Sequence, residues 1–207
     1  MKTIRPYFVI ESKIDSDLLF QQLEKAGRTA YKSEDKITPD SAKDFVKMIY
    51  NRGHLSVIEH QFVTVRVICD RGVSHEIVRH RLASYTQEST RYCNYTKGKF
   101  GSEITVIEPC FWSQDDEKYK VWKQTIEQIE ESYNKLIELG ATPQEARSVL
   151  PNSLKTEIVI TMNLREWRHF FKLRTSQAAH PQMREIAIPL LREFKKQIPI
   201  LFEELTD

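Results

Sequence analysis

The sequence predicts an α+β fold, a mixed sheet flanked by helices. Two runs rich in β-branched residues, Gln61–Cys69 and Leu154–Met162, read as strands. Around them lie segments with helical spacing, the longest from Asp115 to Leu139. At 207 residues, with no internal repeat, low-complexity tract or Gly/Ser linker, the chain reads as one domain over residues 1–207.

Taken in order, Tyr7–Ile10 is a short strand. From Asp17, Leu18, Leu19 and Leu23 set a helical stripe expected to stop near Gly27. A second helix opens at Thr38-Pro39, where proline suits a first turn, carries Phe45, Met48 and Ile49, and meets Gly53 at its C-terminal cap. In the first β-branched run, Val63, Val65 and Val67 alternate with Phe62, Thr64 and Arg66, which buries at least one face. Val73–Leu82 is expected to be helical and Ser84–Tyr92 a polar stretch. Ile104–Ile107 is a strand, and the helix after it carries Trp122, Ile126, Ile129 and Tyr133 before stopping at Gly140. Thr142 and Glu145 read as a capping box around Pro143. Beyond the second run, Asn163 caps a helix bearing Trp167, Phe170 and Phe171. Helices close the chain after Pro181, with a break at Pro199.

Composition narrows the function classes. A 40% hydrophobic, 29% charged chain has material for a real core, which excludes wholesale disorder. Lys+Arg number 31 against 29 Asp+Glu, so the net charge of +2 excludes a polybasic tail protein. The longest stretch free of Asp, Glu, Lys and Arg, Thr175–Met183, is far shorter than the ~20 apolar residues of a spanning helix. The charged residues Lys2, Arg5 and Glu11 leave no apolar signal-peptide core. Cys69, Cys93 and Cys110 form no CxxC pair, and the odd count fits a reducing cytoplasm. Neither a phosphate-binding Gly-rich loop nor a Gly-x-Ser-x-Gly elbow is present.

Chemistry concentrates in three places. Arg79-His80-Arg81 precedes a hydroxyl-rich stretch that contains Gln87, Ser89 and Thr90 and ends on Arg91-Tyr92. Buried guanidinium and hydroxyl groups need partners, and arginine recognises phosphate through paired donors, so the segment suits an anionic nucleotide. A solvated loop whose arginines pair with surface carboxylates is the alternative. Gly53-His54-Leu55-Ser56 with Glu59-His60 is the second place. Its two histidines lack the i,i+4 spacing of a helical metal pair, so an organic ligand or a structural histidine is preferred and no metal is expected. The third gathers Arg147, Asn163, Arg165, His169 and Arg174, with Arg168 and Arg184 read as the polar face of an ordinary amphipathic helix. Nothing resembles a zinc finger or RNA-recognition signature, so no nucleic-acid partner is expected. Cys93 lies beside Tyr92, and an inert thiol is preferred there to a nucleophile.

These motifs resemble those of the flavin-dependent thymidylate synthases: Arg-His-Arg, seven residues, then Ser at Ser89, with Arg91-Tyr92 following. Arg28 with Tyr31, Gly53-His54-x-Ser56-x-x-Glu59-His60, Arg147 before Val149-Leu150-Pro151, Asn163-x-Arg165 and Leu173-Arg174 complete the pattern in the family's order over nearly the whole chain. The resemblance implies conversion of dUMP to dTMP, with the methylene from 5,10-methylenetetrahydrofolate and the hydride from NADPH through FAD, and no cysteine nucleophile. It also implies a homotetramer with interface active sites. FAD is assigned to Ser56, Arg79, His80, Arg81, Gln87, Asn163, Arg165 and His169. The dUMP contacts are assigned to Glu76, Arg79, Gln87, Ser89, Thr90, Arg91, Arg174 and an Arg147 donated by another subunit. Arg174 is the residue expected to polarise uracil, and His54 to serve the folate or hydride steps.

Overall fold

In the computed structural model, which describes residues 1–96 and 103–206, the chain opens with β1 (Lys2–Ile4), β2 (Tyr7–Ile10), α1 (Ser16–Thr29) and α2 (Ser41–Asn51). The first β-branched run becomes β3 (Phe62–Asp70), followed by α3 (Arg71–Ile77), β4 (Ala83–Gln87) and β5 (Thr105–Ile107). Then come α4 (Glu117–Glu138), α5 (Pro143–Ala146), β6 (Lys155–Asn163), α6 (Leu164–Arg174), α7 (Pro181–Gln197) and α8 (Pro199–Phe202). The architecture is α+β, as the sequence predicts. A four-stranded sheet takes the order β2-β3-β6-β4, and β1 pairs in parallel with β5, Lys2 opposite Thr105 and Ile4 opposite Ile107.

Alternation explains the two long strands. In β6 Thr156, Ile158, Ile160 and Met162 are buried and the residues between them are not. In β3 the valines at 63, 65 and 67 go inward, and beyond them Ile68, Cys69 and Asp70 are all buried, so this end is covered on both faces.

The chain forms two compact units, Met1–Tyr7 with Val67–Arg79 and Thr86–Ile158, and Phe8–Arg66 with His80–Tyr85 and Val159–Asp207. In the first, Ile126 and Tyr133 of α4 pack with Ile104, Val106, Ala146 and Leu154. The Glu145 carboxylate accepts from the Thr142 amide at 2.7 Å, holding the start of α5. In the second, Trp167 and Phe171 of α6 meet Phe194 of α7 at ring separations of 5.3 and 5.1 Å, and Phe171 lies 5.9 Å from Phe202 of α8. The Trp167 indole N–H donates to the Val63 carbonyl at 3.0 Å.

Three local expectations differ. Gly27 does not end α1; a Cβ there would lie 2.7 Å from the Phe45 ring, so the glycine admits the close packing of α2 on α1. The helix expected over Val73–Leu82 stops at Ile77, and the polar stretch after it contains β4. Backbone pairing with β6 makes β4 a strand, and that pairing leaves no apolar signature in its own side chains. Among the described residues, no helix is long and apolar enough to cross a membrane.

Candidate functional site

In the second unit, α1, α2 and the turn after α2 enclose a cleft of about 1340 Å³. Gly53, with φ of 76°, ends α2 in a left-handed turn and sends the chain into His54, Leu55 and Ser56 along the cleft wall. Arg28 is held there by two contacts. Its Nε donates at 2.7 Å to Glu24, which is 1% exposed, and its guanidinium lies 4.6 Å over the Phe45 ring. Arg52, Lys36 and Arg165 add positive charge, while Phe45, Met48, Leu55 and Val57 supply apolar wall. Arg165 pairs with Glu59 at 2.6 Å, but both side chains are well exposed, so an anionic ligand displaces that pair at small cost. His54 and Ser56 are therefore exposed groups on a cationic, partly apolar cleft, which suits an organic anion.

α6 organises a second cluster in this unit. The Asn163 side chain accepts from the Glu166 amide at 2.8 Å, capping the helix as expected while leaving its NH₂ group to donate. Glu166, Phe170 and Arg174 recur every fourth residue, on one stripe of the helix. All three meet His80. Glu166 Oε1 is 3.0 Å from His80 Nδ1, Arg174 Nε is 3.1 Å from Nε2, and the Phe170 ring centre is 5.0 Å away. His169, itself exposed, meets the same ring edge-on at 5.6 Å. The Tyr85 hydroxyl, its pKa pushed up to about 12 mainly by burial, donates to the His80 carbonyl at 2.6 Å. His80 is 4% exposed with both ring nitrogens engaged, so it is a buried anchor and not a ring that faces a ligand. Arg81, one residue on, is exposed.

Burial pulls the His80 pKa below its ordinary 6.5. The Glu166 hydrogen bond and charge oppose that shift, and the charges of Arg174 and His169 add to it. Between the lowered value and 6.5 the unfolded chain binds a proton that the native chain refuses, so this contribution to stability is complete above 6.5 and is lost as pH falls through that window. The urea midpoint is accordingly expected to decline as the pH falls below 6.5. The same titration of His80→Asn is expected to be flatter, and an equal slope in both proteins contradicts the assignment.

The first unit holds the remaining predicted residues. The turn that follows α3 presents Arg79, whose amide donates to the Glu76 carbonyl at 3.3 Å. Glu76 is half-buried and Arg79 exposed. The Gln87 side chain is spent on scaffold, donating to Ser74 Oγ at 2.9 Å and Thr156 Oγ1 at 3.1 Å, so its backbone is what it offers a ligand. The Ser89 hydroxyl accepts from the Arg91 amide at 3.3 Å and shapes the turn that leaves Arg91 in solvent. Thr90 is buried beneath that turn, and the chain's own Arg147 donates to its hydroxyl at 3.3 Å. The pattern predicts an Arg147 donated by another subunit; the structure already sets one beside Thr90 within a single chain. Among the described residues no carboxylate pairs with Arg79, Arg81, Arg91 or Arg147, which removes the solvated-loop alternative in its ion-paired form.

Other groups fall away. Cys69 is fully buried and its thiol pKa is raised, chiefly by burial, so it is no nucleophile. Cys93 is half-buried against the Tyr95–Tyr133 core of the first unit. Arg168 does not lie on a solvated polar face as the sequence suggests: it is 5% exposed, bonds the Leu201 carbonyl and Glu204, and stacks on Tyr50 at 4.7 Å, so it is a buried structural arginine. Among the described residues the one group with metal-ligand composition is His80, Glu166 and His169. There the Arg174 guanidinium already faces the second ring nitrogen of His80. Glu166 escaped the sequence reading; the signal for it was a carboxylate on the helix stripe that also carries Phe170 and Arg174.

Comparison with known proteins identifies the family. The family described as thymidylate synthase complementing protein matches residues 17–200. The flavin-dependent thymidylate synthase of Pyrococcus abyssi is 37% identical over 166 residues, which is 80% of this chain and 67% of that protein. That of Pyrococcus horikoshii is 40% identical over 164 residues, 79% and 67% of the two chains. The enzyme of Geobacter sulfurreducens is 33% identical over 171 residues, 82% and 72%. A UMP/dUMP methylase, PolB from Streptomyces cacaoi, solved with 5-Br dUMP, has the same fold: the TM-score is 0.79 at 24% identity, covering 98% of this chain and 96% of that one. With the family match spanning residues 17–200 and relatives 33–40% identical over about four fifths of the chain, the chain belongs to the flavin-dependent thymidylate synthase family.

Proposed function

We propose that the protein methylates dUMP to dTMP, taking a methylene from 5,10-methylenetetrahydrofolate and a hydride that originates in NADPH and passes through FAD, as a homotetramer. The observation that carries this reading is the set of exposed arginines, Arg79, Arg81 and Arg91, that no carboxylate neutralises among the described residues. Guanidinium groups left unpaired on a chain of +2 net charge are suited to phosphate. Family membership supplies the substrate class.

The residues fit FAD. The cleft has room for a dinucleotide, apolar wall for a flat ring and cations for a diphosphate. Ser56 and Arg165 would hold it from the cleft wall; Asn163, His169 and Arg81, and separately Arg79 and the backbone at Gln87, are the further contacts that the resemblance assigns to it. His80 serves by fixing its neighbours. Bound there, FAD supplies the hydride chemistry. On the substrate side Arg79, Arg91 and Arg147 bind phosphate, Glu76 and the backbone at Gln87 take the polar edges of the nucleoside, and Ser89 and Thr90 shape the turn beneath it. Arg174 sets a permanent positive charge where the pyrimidine gains negative charge toward N3, which stabilises that charge. His54 serves the folate or hydride steps from the cleft wall.

The test is the visible spectrum of protein loaded with FAD and freed of excess, then given NADPH without oxygen in the presence of dUMP. Retained flavin bands that bleach are expected, and folded protein that retains no flavin contradicts the reading. Arg79→Ala is expected to weaken both flavin retention and dUMP binding by about tenfold or more. Loss of only one removes the shared contact.

A further inference from the structure

We propose that Glu166 is a positioning residue: through His80 it fixes the orientation of the Arg174 guanidinium. The inference rests on the proposed role of Arg174 and adds the device that aims it.

The argument starts from what each group is able to donate. Arginine has five N–H donors and no acceptor, so the 3.1 Å contact between Arg174 Nε and His80 Nε2 requires a lone pair on Nε2. In a neutral imidazole the proton then sits on Nδ1, and Glu166 Oε1, 3.0 Å away, is there to accept it. Each contact enforces the next: carboxylate, Nδ1–H, Nε2 lone pair, guanidinium Nε–H. The opposite tautomer would set two N–H groups against each other at the Arg174 end, and so would a protonated ring. This contact engages the Nε–H of Arg174, which lies in the guanidinium plane and so orients it.

The surroundings make the chain of contacts rigid. Glu166 is 8% exposed and His80 4%, and a buried carboxylate or imidazole with an unmet partner is costly. Glu166 lies in the first turn of α6, where the positive end of the helix dipole favours its charge; Arg174 is in the last turn, where the negative end favours a cation. Two helical turns separate them, and the ring of His80 spans the gap along the stripe that Phe170 shares. From β4 the Tyr85 hydroxyl donates to the His80 carbonyl and restrains its backbone, and His169 meets the ring edge-on at 5.6 Å. The same three ligand-type groups would otherwise suggest a metal, but the second ring nitrogen of His80 is already occupied by a cationic donor.

The test combines imidazole ¹⁵N spectra of histidine-labelled protein with steady-state kinetics for Glu166→Gln and Glu166→Leu. The wild type is expected to show a protonated Nδ1 and an unprotonated Nε2 for His80. Glu166→Gln keeps an acceptor and is expected to retain that tautomer, with kcat within a few-fold. Glu166→Leu removes it and is expected to shift the tautomer signature and to lower kcat and kcat/KM together by about 10–100-fold. A wild-type His80 protonated at Nε2 overturns the proposal. So does a folded Leu variant with unchanged tautomer or unchanged kcat. If the Leu variant does not fold, a Gln variant whose tautomer and kcat change as much as an acceptor-free side chain would require also overturns it. A wild type that forms no dTMP defeats the functional reading instead, and the tautomer comparison still decides the coupling.

Discussion

Arg174→Ala is expected to fold like the wild type and to lose about 10²–10³-fold in kcat for dTMP formation. The residue is half-buried at the last turn of α6, and its removal empties no core position. What it removes is a charge that stays positive at every working pH, at the position proposed above to face the pyrimidine as it becomes anionic. Arg174→Lys is expected to rescue little, because an ammonium on a flexible stem has no Nε–H to meet His80 at 3.1 Å and no plane to be set. Melting temperature and kcat measured side by side check this. Full activity in Arg174→Ala removes the residue from the catalytic role.

Trp167→Ala is expected to do the reverse, costing about 3–5 kcal/mol of stability. The indole is fully buried, stacks on Phe171 at 5.7 Å, meets Phe170 at 5.4 Å and Phe194 at 5.3 Å, and donates to the Val63 carbonyl. Alanine leaves a cavity and an unpaired buried carbonyl, and both act in the same direction. Because α6 also carries Arg165, Glu166, His169 and Arg174, a loosened Trp167 loosens the site. Urea unfolding reads the loss, and a drop below about 1 kcal/mol contradicts the anchor role. Trp167→Phe, which keeps the ring packing but not the N–H, is expected to fall between the two.

Much of this was legible in the sequence because local rules and tertiary packing agree. The period of two in Val63, Val65 and Val67, the Gly53 cap and the Asn163 cap each need only neighbours along the chain. Where partners are remote, the signal disappears. β4 becomes a strand through its pairing with β6 in the sheet order, and Gly27 ends nothing because its bareness serves Phe45 on another helix. The ordered motifs gave most of the candidate site, yet they could not show which side chains face a ligand and which hold others in place. His80 and Gln87 have the residue types of ligand contacts, and the structure spends their side chains on Glu166, Arg174, Ser74 and Thr156. Glu166 looked like any solvated helical carboxylate until the fold buried it against His80.

The most direct test of the central claim is product formation. Protein loaded with FAD is incubated with dUMP, 5,10-methylenetetrahydrofolate and NADPH, and the nucleotides are separated by chromatography. The expected result is dTMP formed in step with NADPH oxidation, with none when either the folate or NADPH is withheld. Flavin that is held and reduced by NADPH while dUMP stays unchanged would contradict the account and leave a flavin reductase in its place.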